Sequence, residues 1–273
     1  MSRRLQQPIV GSDDALAVLR EVLRITRPDA DTGRISQAYD VAAFWHQGQT
    51  RKSGDPYITH PLAVATILAE NGADDAMLCA ALLHDTIEDT PYTLAALIRD
   101  FGSEVAALVA GTAELDHIDS EQSTAAQVMA TVTSADSRVL AIKVADRLHN
   151  MRTVQYIAKA TQLRKARESL EIFAPVAARL SMGTIEAELE TLANATIKRH
   201  QQAGSASGRL LVAVAALLPR ATRIRWCEEW LGELHTLKRR RERASFAIHT
   251  ALGIPQLAFT VRMPAWNRRR PGR

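Results

Sequence analysis

His84 and Asp85 stand side by side at the end of an apolar run, Ala80-Ala81-Leu82-Leu83, and Glu88 and Asp89 follow one turn later. An imidazole and a carboxylate placed together begin a mixed nitrogen/oxygen site for a divalent cation. His60, in Tyr57-Ile58-Thr59-His60-Pro61, and Asp146, which closes the largely apolar stretch Val139–Ala145, offer a second imidazole and a second carboxylate. A lone histidine on an apolar face is usually a core residue. The set carries the weight, because an isolated buried carboxylate is expensive and a cation removes that cost. His60, His84, Asp85 and Asp146 therefore read as ligands for Mn2+ or another first-row divalent ion, with room left for water. Glu88, four residues beyond His84, would share its helical face. A carboxylate beside metal-bound water can accept or orient its proton, so Glu88 and Asp89 are candidate acid–base groups in a metal-dependent phosphohydrolase.

Helices must position these groups. Ala, Leu and Val dominate the apolar residues and the aromatic share is 5%, which favours helix over sheet. Nearly every segment before residue 204 repeats with helical period. The spacing predicts helices over Asp13–Thr26 with Ser12 as cap, Ile35–Gly48, Pro61–Glu70 stopped by Asn71-Gly72, and a run capped by Asp74 or Asp75 that ends at His84-Asp85. A short helix capped by Thr93 should end at Phe101-Gly102. Further helices are expected over Glu104–Glu114, Glu121–Thr133, Ser137–Thr153, Leu163–Leu180 and Thr184–His200. No alternation is long enough to make a sheet, so the fold class expected is all-α.

Gly204-Ser205-Ala206-Ser207-Gly208 reads as a short linker, dividing a body, 1–204, from an extension, 205–273. The body has 20 Lys/Arg against 26 Asp/Glu and the extension 14 against 4, so an acidic body carries a basic tail. The tail reads as two or three short helices over 209–252, in which Trp226 and Trp230 share a face ahead of Lys238-Arg239-Arg240-Arg241. Three readings of it stay open: packing on the body or on a second copy of the chain in a homo-oligomer, contact with an anionic membrane surface, and contact with nucleic acid. Cys79 and Cys227 show no pairing pattern, the N-terminus lacks a secretory signal, and the longest apolar run, Leu210–Pro219, is short for a membrane span. The expectation is a cytoplasmic protein with free thiols.

Four ordered blocks carry a specific resemblance: Arg51-Lys52-Ser53-Gly54-Asp55-Pro56-Tyr57-Ile58-Thr59-His60-Pro61-Leu62, Ala80 to Thr90, Ile142 to Thr153, and Thr161 to Leu180. The chain resembles the HD-domain phosphohydrolases, and within them the alarmone hydrolase domain of the RelA/SpoT homologues, over about residues 35–195. The resemblance implies a helical HD-domain bundle that removes the 3′-pyrophosphate from guanosine tetra- and pentaphosphate in a Mn2+-dependent reaction. It implies metal at His60, His84, Asp85 and Asp146, and water activation by Glu88 and Asp89. Arg51 and Lys52 would lie beside base and phosphates, with Asn150 and Thr153 near the nucleoside. An Arg-Lys pair suits so anionic a substrate, and a guanidinium can also stack on a purine.

About 70 residues follow the linker, too few for the nucleotide-synthesising domain of the family's large members, so the sequence reads as a small stand-alone alarmone hydrolase. Ala113–Thr133 matches the family only loosely and would shape substrate entry. Rival readings are an HD enzyme acting on adenosine alarmones or on NADPH, and a non-catalytic alarmone-binding protein that works through its basic tail.

Overall fold

The structure, a computed structural model, describes residues 12–118, 135–203, 205–218, 220–237 and 239–267. The helix expected over Glu121–Thr133 lies outside them. Among the described residues there are helices and no strands, apart from one isolated bridge between Thr50 and Pro56. The fold is all-α, and residues group into two compact units, up to Ala193 and from Asn194.

In the first unit, α1 (Ser12–Thr26), α2 (Thr32–Trp45), α3 (Thr59–Glu70), α4 (Asp75–Leu83), the single turn α5 (Thr86–Asp89), α6 (Leu94–Ile118) and α7 (Ser137–Arg152) follow in chain order. The central element is α4, whose residues Leu78 to Leu83 are 0% exposed. A helix apolar on every side belongs in the middle of a bundle, and α2, α3, α6 and α7 all pack against it. Short polar side chains set the starts. Asp31, Asp74 and Asp136 accept from the backbone N–H groups of Arg34, Met77 and Arg138, satisfying donors that a helix N-terminus leaves over.

Two of these caps explain boundary differences from the sequence reading. The Asp31 cap starts α2 three residues ahead of Ile35. Gly102 interrupts α6 at φ 83°, a backbone that a residue with a Cβ rarely adopts, so the chain breaks after Phe101 as expected but resumes at once.

Beyond α7 the chain continues through a 3-10 turn (Val154–Tyr156), α8 (Lys159–Glu168), a π turn (Ser169–Phe173) and α9 (Ala174–Arg179). A single helix over Leu163–Leu180 was expected. The π turn divides it, and the Ala174 N–H reaches back to the Ser169 carbonyl. Phe173 packs under the Arg147 guanidinium, 4.1 Å from its ring centroid, and Glu168 accepts from both Arg147 and Arg164 at 2.9 and 2.7 Å. The wide turn thus serves a buried cation of α7.

The α6–α7 contact is tight at Gly111, where a Cβ would lie 2.8 Å from Val139 Cγ2. Alanine gains about 1 kcal/mol of helix propensity over glycine, whereas overpacking costs about 1–3 kcal/mol, and a β-branched valine has few rotamers to escape into. Gly111→Ala is therefore expected to lower the melting temperature, and Val139→Ala in the same chain to restore part of it. A single variant melting above the wild type would show that the contact gives way.

Helix α10 (Gly183–Ala203) carries the chain from the first unit into the second, where α11 (Ala206–Ala215), α12 (Arg220–Thr236) and α13 (Arg240–Asn267) follow. Leu211, Ala215, Leu218, Trp230, Leu231, Leu234 and Ala247 form the core of this unit, with Trp226 against it. The tryptophan pair of the tail is thus spent on the unit's own interior, its rings 5.8 Å apart. No helix among the described residues is long and apolar enough to cross a membrane. Cys79 is buried, and burial pushes its thiol up to about 12.

Candidate metal centre and adjoining cleft

Three elements bring the sequence candidates together. His60 is the second residue of α3, His84 and Asp85 occupy the junction between α4 and α5, and Asp146 lies on α7. Because α3, α4 and α7 pack on one another, the four side chains converge. His60 Nε2 is 3.2 Å from Asp146 Oδ1 and 3.6 Å from Asp85 Oδ2, and His84 Nε2 is 3.1 Å from Asp85 Oδ1. Ligand atoms of His60, His84 and Asp146 all lie within 4.8 Å of one another, and all three residues are buried.

The protonation of His84 tests whether a cation fits. Its Nδ1 is 2.8 Å from the Ala81 carbonyl, which can only accept, so Nδ1 carries the proton. Nε2 then bears a lone pair, is buried, and has no hydrogen-bond partner. A lone pair facing a carboxylate oxygen at 3.1 Å is repulsive unless a cation sits against both. Ligand atoms bound at about 2.1 Å lie about 3 to 3.5 Å apart around an octahedral or tetrahedral ion, and the observed separations fall in that range.

The surrounding groups hold the ligands. His60 Nδ1 is 2.7 Å from His149 Nδ1, so one ring donates to the other. Burial pulls the His60 imidazole below its ordinary value. Burial, then His60 and Arg51, bring His149 down to about 3. Both rings are neutral at pH 7, and a neutral imidazole is the form that ligates. Asp146 accepts from Lys143 Nζ at 3.1 Å and from Asn150 Nδ2 at 2.7 Å, partners three and four residues away on its own helix. Burial raises its carboxyl, but Lys143 and then His60 overcome this and hold it well below the ordinary value.

Glu88 and Asp89 lie on α5, and both are exposed. The continuous helical face expected for His84 and Glu88 is interrupted at the α4–α5 junction, where His84 Nδ1 takes the Ala81 carbonyl and Thr86 Oγ1 the Leu83 carbonyl. Asp89 still reaches the centre. The Tyr57 hydroxyl is 2.6 Å from Asp85 Oδ2 and 3.1 Å from Asp89 Oδ2. Burial and then the two carboxylates push this phenol up, so it remains a donor.

A cleft of about 300 Å³ adjoins the centre, lined by Thr50, Arg51, Lys52, Ser53, Tyr57, Thr153, Tyr156 and Ile157. Arg51 and Lys52 sit in a tight turn in which Arg51 N–H donates to Asp55 and Gly54 N–H to Arg51. Gly54 has φ 96°, which the turn requires. Of the four residues expected beside the nucleotide, Arg51, Lys52 and Thr153 line the cleft. Asn150 instead links the two regions, accepting from Arg51 at 2.9 Å while donating to Asp146.

Tyr57, Lys143 and His149 were not singled out as site residues from the sequence. Lys143 had a legible signal, being a charge inside an apolar run three residues before Asp146. The same spacing separates Tyr57 from His60. His149 carried none beyond its type.

Comparison with known proteins agrees with this arrangement. A family model described as HD domain matches residues 38–183. A Streptomyces coelicolor protein named GTP pyrophosphokinase is 54% identical over 189 residues, covering 66% of this chain and 22% of that one. The Escherichia coli bifunctional (p)ppGpp synthase/hydrolase SpoT is 47% identical over 181 residues, covering 64% of this chain and 26% of that one. A solved structure titled "A metazoan ortholog of SpoT hydrolyzes ppGpp and plays a role in starvation responses" is 25% identical, covering 59% of this chain and 94% of that one at a TM-score of 0.46. The chain spans about a quarter of the length of the curated relatives it matches.

Proposed function

We propose that this chain, which belongs to the HD-domain family, hydrolyses guanosine 3′,5′-bis(diphosphate) and the corresponding pentaphosphate to GDP or GTP and pyrophosphate, using Mn2+ held by His60, His84, Asp85 and Asp146. The observation that carries the reading is the buried, unpartnered His84 Nε2 facing a carboxylate, beside a second imidazole–carboxylate pair. The hydrolase names of relatives such as the SpoT protein support the substrate class, while others are named for pyrophosphokinase activity. All residues given roles lie in the first unit.

A bound divalent ion would lower the pKa of its water and polarise a phosphoryl oxygen. Asp89 and Glu88 orient the attacking water and take its proton. The new bond joins the water oxygen to phosphorus, the bond between phosphorus and the ribose 3′ oxygen breaks, and that oxygen leaves protonated. Arg51 and Lys52 offset the charge on the phosphates, where preorganised cations matter most in phosphoryl transfer. Thr153 and Asn150 position the nucleoside.

The direct test is incubation with guanosine tetraphosphate, with and without Mn2+, reading GDP and pyrophosphate. Turnover that disappears with chelator and returns with Mn2+ is expected. No product at any metal concentration would remove the reading, and preference for an adenosine alarmone or NADPH in the same assay would replace its substrate. Arg51→Ala should lower kcat/KM about 10- to 100-fold, chiefly through KM, since hydrogen bonds to charged groups contribute about 1.5–3 kcal/mol. An unchanged KM would take Arg51 out of the nucleotide contacts.

A further inference from the structure

Tyr57 is placed like a part of the centre although it is neither ligand nor acid–base group. Its hydroxyl has one proton and faces two carboxylates, Asp85 Oδ2 at 2.6 Å and Asp89 Oδ2 at 3.1 Å. Asp85 has two oxygens, and the phenol occupies one. The other, Oδ1, faces His84 Nε2 at 3.1 Å. Without the hydroxyl, nothing printed by this geometry stops the carboxylate from rotating about its terminal torsion, which is broad and roughly two-fold for aspartate.

The ring itself is fixed. It stacks on His46, centroids 4.5 Å apart and planes at 21°. His46 is buried, and its Nδ1–H donates to Gln49 Oε1 at 2.8 Å. Gln49 in turn donates through Nε2 to the Asp89 carbonyl at 3.2 Å and accepts the Tyr57 backbone N–H at 3.0 Å. Gln49 thereby ties the phenol's backbone and the Asp89 backbone to one side chain and its own carbonyl.

We propose that Tyr57 is a positioning residue that turns a single oxygen of Asp85 towards the cation and sets the spacing between that ligand and Asp89. The proposal rests on the metal reading above and deepens it. Groups that orient metal ligands typically contribute 10- to 100-fold to metal affinity, and a hydroxyl on a ligating carboxylate is such a group.

The test is Tyr57→Phe in the full chain, which keeps the ring on His46 and removes only the oxygen. Titration of the metal-stripped protein with Mn2+ by calorimetry should show binding weakened about 10-fold. At saturating Mn2+, kcat should fall while KM for the nucleotide holds. Affinity within twofold of the wild type overturns the proposal. Should the variant melt below the working temperature, wild-type protein labelled with 3-fluorotyrosine answers the same question. Zn2+ should shift the Tyr57 fluorine resonance, and an unmoved resonance at saturation overturns the proposal. Because calorimetry reads metal and not turnover, a chain that binds Mn2+ with wild-type dependence on Tyr57 but leaves guanosine tetraphosphate intact would end the hydrolase reading alone.

Discussion

Asp85→Ala is expected to lower pyrophosphate release from guanosine tetraphosphate at least about 1,000-fold, because a metal Lewis acid supplies several kcal/mol of transition-state stabilisation and each 1.4 kcal/mol is a factor of ten. Mn2+ binding by calorimetry should be lost and the far-UV helical signal kept. Asp146→Ala should match it in activity and differ in stability. Asp85 is only partly buried and its hydroxyl partner is neutral. Asp146 instead neutralises Lys143, which is 5% exposed. Removing one member of a buried ion pair costs about 3–5 kcal/mol, since the remaining charge keeps its desolvation penalty. Asp146→Ala should therefore melt well below Asp85→Ala, with Asp146→Asn between them. Full turnover in either alanine variant would remove the metal assignment.

The second large effect separates ligands from acid–base groups. Asp89→Asn and Glu88→Gln should each slow hydrolysis at least about 100-fold, the scale of acid–base contributions, while leaving Mn2+ affinity nearly unchanged. Asparagine can still accept from Tyr57 through its amide oxygen, so the Asp89 variant keeps that hydrogen bond and loses only basicity. Steady-state rates with parallel calorimetry check both. Wild-type rates in both variants would exclude the acidic pair from proton transfer, and lost metal binding would move them into the ligand set.

The helices were largely legible because periodicity is a local signal. The apolar run into His84, the Asn71-Gly72 stop and the Asp74 cap are all set by neighbours in sequence. The π turn at Ser169–Phe173 was not, because Phe173 is drawn to Arg147, a residue of another helix. In the site, residues that meet across α3, α4 and α7 were named by their types, each being an odd presence in apolar surroundings. What escaped was hydrogen-bond partnership. Tyr57 to Asp85 spans 28 positions and His60 to His149 spans 89, and no spacing rule relates residues so far apart. Asn150 shows the same limit. Its place was right, but its bonds run to Arg51 and Asp146, so it braces two protein groups at once.

The π turn also constrains how the chain can change length. An α-helix advances about 100° per residue, and a π turn accommodates one residue more than an α turn would. Deleting a single residue between Ser169 and Phe173 would relax the stretch to ordinary pitch and rotate all that follows by that angle. Val176 and Ala177, now buried, would swing towards water while Ala178 and Arg179 turned inward. Loss of one residue in this stretch is thus a rotation of everything downstream, which a point substitution at the same place is not.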